Sequence, residues 1–167
     1  AGRYWCWDAA YRRSNGDADA LFRQLSQVAA QARLDGYRMG ERYDMNYVYH
    51  QSAKNWHGAA HYYEYPNVFA WVLLHEYLGI RPHPDCDYLI SPCLRGAGHI
   101  RHGEIDYVIG GDSFALTNAG ARPIGVKVDL SFVFPNAGCK RTSASKQADP
   151  SGTYLLQPDE RIVIRMD

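Results

Sequence analysis

The chain has 167 residues, 46% hydrophobic and 22% charged, and its 18 basic and 18 acidic side chains cancel to zero formal charge. Such a composition belongs to a globular protein long enough to bury a core. It excludes capture of nucleic acid or of an anionic membrane surface by bulk charge. Aromatic content is high, with 13 Tyr, 4 Trp and 5 Phe; flat rings with polar handles suit sugar faces, packed cores and interfaces alike.

Tyr4, Trp5 and Trp7, in "GRYWCWDAAY", precede the first expected helix. That helix spans residues 17–35, where Ala18, Leu21, Phe22, Leu25, Val28, Ala29 and Ala32 follow the i, i+3, i+4, i+7 pattern. Asn15 or Asp17 can cap its start, and Gly36 stands where a left-handed terminus is wanted. Residues 37–56 lack a sustained period and read as a long structured loop, more often functional than idle. A second helix starts near Pro66, runs through "NVFAWVLLHEYL" and ends at Gly79. Its apolar residues cover nearly every face, which predicts burial on all sides and therefore a partner or a further part of the protein.

Strand signals dominate after residue 80. Ile124, Val126, Val128, Leu130, Phe132 and Phe134 alternate with Gly125, Lys127, Asp129 and Ser131, predicting one long strand, and Ile162, Ile164 and Met166 predict another. Tyr88–Ile90, Ile105–Ile109 and Ser113–Thr117 are shorter candidates, and residues 138–152 read as a polar loop. The expected fold class is α+β: a helical part, 1–80, followed by an antiparallel β-rich part, 81–167.

Cys86 and Cys93 flank "DYLISP"; if extended, they stand about 23 Å apart, too far for a disulfide. A Cys6–Cys139 bridge is left open. No apolar run reaches membrane-span length and no leader opens the chain. It begins Ala1-Gly2 rather than Met, which implies a removed upstream piece or membership in something longer.

Several chemical motifs fail on inspection. His57, His61 and Glu64 have a spacing that can hold zinc, but the Glu that follows the first His in metalloproteases is missing and Gly58 and Pro66 interrupt a helix. Hydrogen bonding inside a polar loop is the expectation there, and no metal or other cofactor is implied. His99 and His102 in "GHIRH" read as core or surface histidines. "GGDS", Gly110–Ser113, lacks the Lys of a phosphate loop and reads as a turn between strands. The two "NAG" stretches, Asn118–Gly120 and Asn136–Gly138, carry turn chemistry.

Glu41 remains, within "MGERYDM" and between aromatic segments. Aromatic rings beside a poised carboxylate are what glycoside hydrolysis needs. The order "YW-x-W", amphipathic helix, "GERYD", then "EYPNVFAW" before an apolar helix resembles the closing third of the catalytic domain of trehalases and processing α-glucosidases, which are (α/α)6-toroid glycosidases. Glu41, Arg42, Tyr43 and Asp44 match the "EKYD" pattern that carries the general base in trehalases. Glu64, Tyr65, Phe69 and Trp71 match the "GEY…GFGWTNG" pattern more loosely. Tyr4, Trp5 and Trp7 fall where a "YWRGPVW"-like segment lines the sugar site. The departures are "WCWD" in place of Gly and Pro, and "NVFAW" in place of the Gly-rich run.

The resemblance covers about residues 3–82, and the strand-rich tail is similar to the β extension that ends many toroid enzymes. It implies an inverting glycoside hydrolase of oligosaccharides or glycosides with Glu41 as general base. Trp5, Trp7, Tyr43, Glu64, Tyr65 and Trp71 would form the sugar pocket. The general acid in this family lies upstream of everything matched here. The expectation is therefore a carbohydrate-binding portion or subunit, completed by another polypeptide segment or subunit. Two rivals stand beside it: a non-catalytic carbohydrate-binding or structural subunit, and part of a toroid phosphorylase.

Overall fold

The computed structural model describes residues 4–34, 36–37, 64–135, 139–140 and 151–166. The chain divides into two units, Ala1–Tyr77 and Leu78–Asp167; the described residues of the first form helices and those of the second form strands.

The Trp-bearing stretch does not merely precede a helix. It is one: α1 spans Trp5–Ser14, with Asp8 in the first turn and Arg12 and Arg13 in the last, charges that complement the helix dipole. The helical stripe was hidden because the inward residue is small, Ala9, while Trp7 and Tyr11 point outward. Gly16 closes α1 at φ 67°. Its N–H bonds Arg13 O at 2.8 Å and that of Asp17 bonds Arg12 O at 3.0 Å, the paired bonds of a Schellman turn.

Asp17 then caps α2, Ala18–Leu34, its Oδ1 accepting the Ala20 N–H at 3.2 Å. Ala18, Leu21, Leu25 and Ala32 face inward as the period requires. Phe22 and Ala29 do not; Phe22 is exposed and its ring lies 6.0 Å from that of Tyr77. Gly36, at φ 66°, ends α2, with Tyr37 N bonded to Ala32 O at 2.6 Å.

Helix α3 spans Glu64–Trp71, with Pro66 in its first turn, and passes into a π-helical segment, Val72–Tyr77. The expected burial on all sides is corrected here. Among the described side chains of this run, Tyr65, Val72 and Glu76 are buried, whereas Trp71 is 49% exposed. Gly79, at φ 68°, follows the helical run; a Cβ there would collide with the Ser91 carbonyl, so only glycine fits.

The second unit contains nine strands among the described residues, in two sheets. The first sheet comprises β1 (Ile80–His83), β2 (Cys86–Ile90), β6 (Ile124–Val128) and β8 (Thr153–Leu156), in that order. The second has the order β3-β4-β5-β9-β7, from Gly98–His102, Ile105–Ile109, Ser113–Asn118, Arg161–Met166 and Cys139–Lys140. All pairings are antiparallel except β2 with β6, which corrects the wholly antiparallel expectation. Three strands of the other sheet intervene between β2 and β6, giving the long connection that parallel pairing needs.

Alternation defines the core. In the second sheet Tyr107, Leu116 and Ile162 lie in one register row and Ile109, Phe114 and Ile164 in another, all buried. The first sheet buries Ile90, Ile124, Val126, Val128 and Leu156.

The long alternating strand stops at Val128. Asp129 Oδ1 accepts the Ser131 N–H at 3.0 Å, and Phe134 N bonds Leu130 O at 2.9 Å, so a side-chain turn wins over continued ladder pairing. Gly110 N bonds Ser113 O at 2.7 Å in the expected turn between β4 and β5. Asn118 supplies the other expected turn, its Oδ1 accepting Gly120 N at 2.9 Å. Its buried amide also donates to Arg122 O at 2.7 Å and to Leu156 O at 3.1 Å, joining β5 of one sheet to β8 of the other.

Candidate functional site

The residues expected to face sugar fall into three groups within the helical unit. Trp5 and Tyr65 meet, with ring centroids 6.3 Å apart, and Trp5 lies 6.1 Å from Phe69. Ala32 and Val28 of α2 complete this cluster. Burial raises the Tyr65 phenol above its ordinary pKa.

The Trp5 indole N–H donates to Gln24 Oε1 at 2.9 Å, and Gln24 Nε2 donates to Asp8 Oδ2 at 2.5 Å. Asp8 also accepts Arg12 Nε at 2.9 Å, and Arg12 reaches Asp17 Oδ2 at 3.4 Å. The chain of bonds runs from an aromatic cluster to the α2 cap. The Gln24 hydrogen bond, followed by Arg12, holds the Asp8 carboxyl below the usual carboxylate range, while Asp8 raises the Arg12 guanidinium.

Trp7 is separate, 71% exposed, with its ring 5.3 Å from that of Tyr4. Trp71 forms the third group. A π turn brings residue i+5 over residue i, and here the Trp71 indole N–H donates to the buried Glu76 at 3.3 Å. Arg13 Nε of α1 stands 4.0 Å from the other Glu76 oxygen, and the His75 ring lies 3.9 Å from that of Trp71. Trp7 and Trp71 keep much of their surface exposed, whereas Trp5 and Tyr65 pack against protein.

Glu41 and Tyr43 lie outside the described residues, as do the side chain of Glu64 and the histidines His57 and His61. His99 and His102 are on the surface, with His99 Nε2 2.8 Å from Asp106 Oδ1. Among the described residues no group of three His, Cys, Asp or Glu side chains is disposed to hold a metal ion. Cys6, Cys86 and Cys93 are thiols. No helix of the described residues is long and apolar enough to cross a membrane.

Two polar clusters escaped the sequence reading. One is Arg13–Glu76, joining residues remote in sequence; its only local trace is an acid inside the apolar run "VLLHEYL". The other lies in the strand unit. Arg122 bridges Asp87 at 2.9 Å and Glu104 at 3.0 Å, and Tyr88 Oη donates to Glu104 at 3.0 Å. The Gly125 N–H at 2.7 Å, then Arg122, depresses the Asp87 carboxyl, while burial and the nearby Glu104 raise Tyr88. Every charged member of this cluster is spoken for, which marks it as a brace between strand ends. No family model matches the chain, and no curated protein matches it significantly.

Proposed function

We propose that the chain is the closing portion or subunit of an inverting glycoside hydrolase of (α/α)6-toroid type, acting on an oligosaccharide or glycoside. Glu41 serves as general base, ionised at working pH and drawing a proton from the water that attacks opposite the leaving group. The general acid comes from another polypeptide segment or subunit, about 6.5–9.5 Å from Glu41, the separation that leaves room for that water. Trp7 and Trp71 present ring faces to sugar C–H groups; Trp5, Tyr43, Glu64 and Tyr65 shape or hold the pocket. No cofactor takes part.

One observation carries the reading beyond the motifs. The helical unit leaves Tyr4, Trp7, Tyr11 and Trp71 exposed. Large exposed apolar side chains grouped in one unit are the mark of a surface that other helices or a ligand cover.

The test uses the protein purified with any polypeptide that accompanies it. Glu41→Gln should lower turnover of a responsive glycoside by about 10²–10⁴-fold, the usual worth of a general base, while ligand affinity stays near that of the parent. Unchanged turnover removes the assignment. Turnover that requires inorganic phosphate points to a phosphorylase, and glycan binding with no hydrolysis by the assembled protein points to a binding subunit.

A further inference from the structure

The outer face of the second sheet has a charge pattern that bulk neutrality conceals. Arg101 of β3, Asp106 of β4, Thr117 of β5 and Arg161 of β9 form one register row. The next outward row is His99, Val108, Ala115 and Val163, and Arg165 stands opposite Ser113 in the row beyond. The rows between them point inward and are buried at Tyr107, Leu116, Ile162, Ile109, Phe114 and Ile164. Arg101, Arg161 and Arg165 are all exposed.

The only carboxylate in these outward rows, Asp106, is bonded to His99. Among the described residues none of the three guanidinium groups is ion-paired. Three fixed cations therefore surround a strip of exposed Val108, half-buried Val163 and buried Ala115, and among the described residues of these rows the one carboxylate, Asp106, is taken by His99. Three strand steps put Arg101 about 14 Å from Arg161, and four residues along β9 put Arg161 about 13 Å from Arg165. One phosphate or one carboxylate cannot bridge such distances; an extended polyanion can.

We infer that this sheet face docks an acidic glycan, a linear polysaccharide bearing carboxylates, whose uronate groups pair with Arg101, Arg161 and Arg165. The guanidinium fork matches a carboxylate in two parallel hydrogen bonds, and strand positions hold each fork at a fixed spacing. Among the described residues the face carries no Phe, Tyr or Trp, and its one ring, His99, is bonded to Asp106, so it lacks the broad platforms on which single-stranded nucleic acid stacks its bases. Choosing a glycan over other polyanions rests on the glycosidase reading above.

The test titrates the full chain with polygalacturonate, and in parallel with its fully methyl-esterified counterpart, with single-stranded polyuridylate and with phosphatidylserine vesicles. Binding of polygalacturonate alone, weakening as salt rises, is the expected result. Arg101→Gln, Arg161→Gln and Arg165→Gln should each weaken it about two- to fivefold and the triple variant at least about tenfold, with unchanged melting. Lysine at the same positions should restore part of the loss, and Arg33→Gln on α2 should change nothing.

Equal binding of the ester, absence of binding to polygalacturonate, indifference of the triple variant, or preference for polyuridylate or vesicles would each overturn the inference. Arginine-dependent binding of polygalacturonate, with no glycosidase activity in the protein purified together with any polypeptide that accompanies it, would remove the proposed function and leave this site standing.

Discussion

The two units bury their large side chains very differently. Among the described residues, Tyr107, Phe114 and a series of Ile and Leu side chains are fully buried in the strand unit, whereas Leu21 and Val72 are the only side chains of that class in the helical unit. The core of the helical unit leans on Ala9, Ala18, Ala20 and Ala32, and it exposes Tyr4, Trp7, Tyr11, Phe22, Leu34, Tyr37 and Trp71. Among its described residues the strand unit exposes only Val108 and Leu155 of its large apolar side chains. Hydrophobic stabilisation follows the apolar area removed from water. The strand unit thus has the means of its own stability, while the rings of the helical unit are placed for something else to cover.

Substitutions can break or sharpen this contrast. The largest loss should come from Phe114→Ala, about 3–5 kcal/mol for a fully buried ring, read by denaturant unfolding of the strand unit. A loss under about 1 kcal/mol would show that the core there is loose. Asn118→Ala should follow, at about 2–3 kcal/mol, because the buried carbonyl of Leu156 loses its donor and the Gly120 turn its acceptor. In the helical unit Asp17→Ala removes the α2 cap and should cost about 1 kcal/mol, visible as reduced helical circular dichroism on heating.

A smaller effect should appear in acid. The folded-state pKa of Asp87 is depressed. Its contribution is therefore complete above the ordinary carboxylate range and fades as pH falls through the lowered value. Asp87→Asn should flatten only that acid limb of the stability curve, and the exposure of the pair to solvent keeps the change modest. Smallest of all, Trp7→Ala should shift stability by under about 0.5 kcal/mol, since the ring is mostly in water. A greater loss in the isolated chain would mean that the exposed ring already has a structural duty.

Legibility in the sequence followed the range of the interaction. Gly36 and Gly79 could be read, and the α2 cap narrowed to Asn15 or Asp17, because a cap or a left-handed turn is specified within a few residues, and Leu21, Leu25 and Ala32 because a stripe repeats locally. Helix α1 was missed because its bulky residues point outward, inverting the usual pattern. The alternation through Phe134 overran β6 because Asp129 and Leu130 redirect the backbone by turn bonds that periodicity does not register. Of the expected site, Trp5, Trp7, Tyr65 and Trp71 could be named as aromatic candidates, yet which of them pack together and which stay exposed was not readable from spacing.

The sequence by itself determined the order of helical and strand-rich parts, the glycines at 36 and 79 that end helices, and the inward rows of β6 and β9, since each depends on residues close together along the chain. Only tertiary structure decided that β2 runs parallel to β6, that Glu76 lies against Arg13 and Trp71, and that Arg101 and Arg161 share one sheet face. Those pairings join distant segments, and their energies depend on which surfaces the folded backbone brings out of water together.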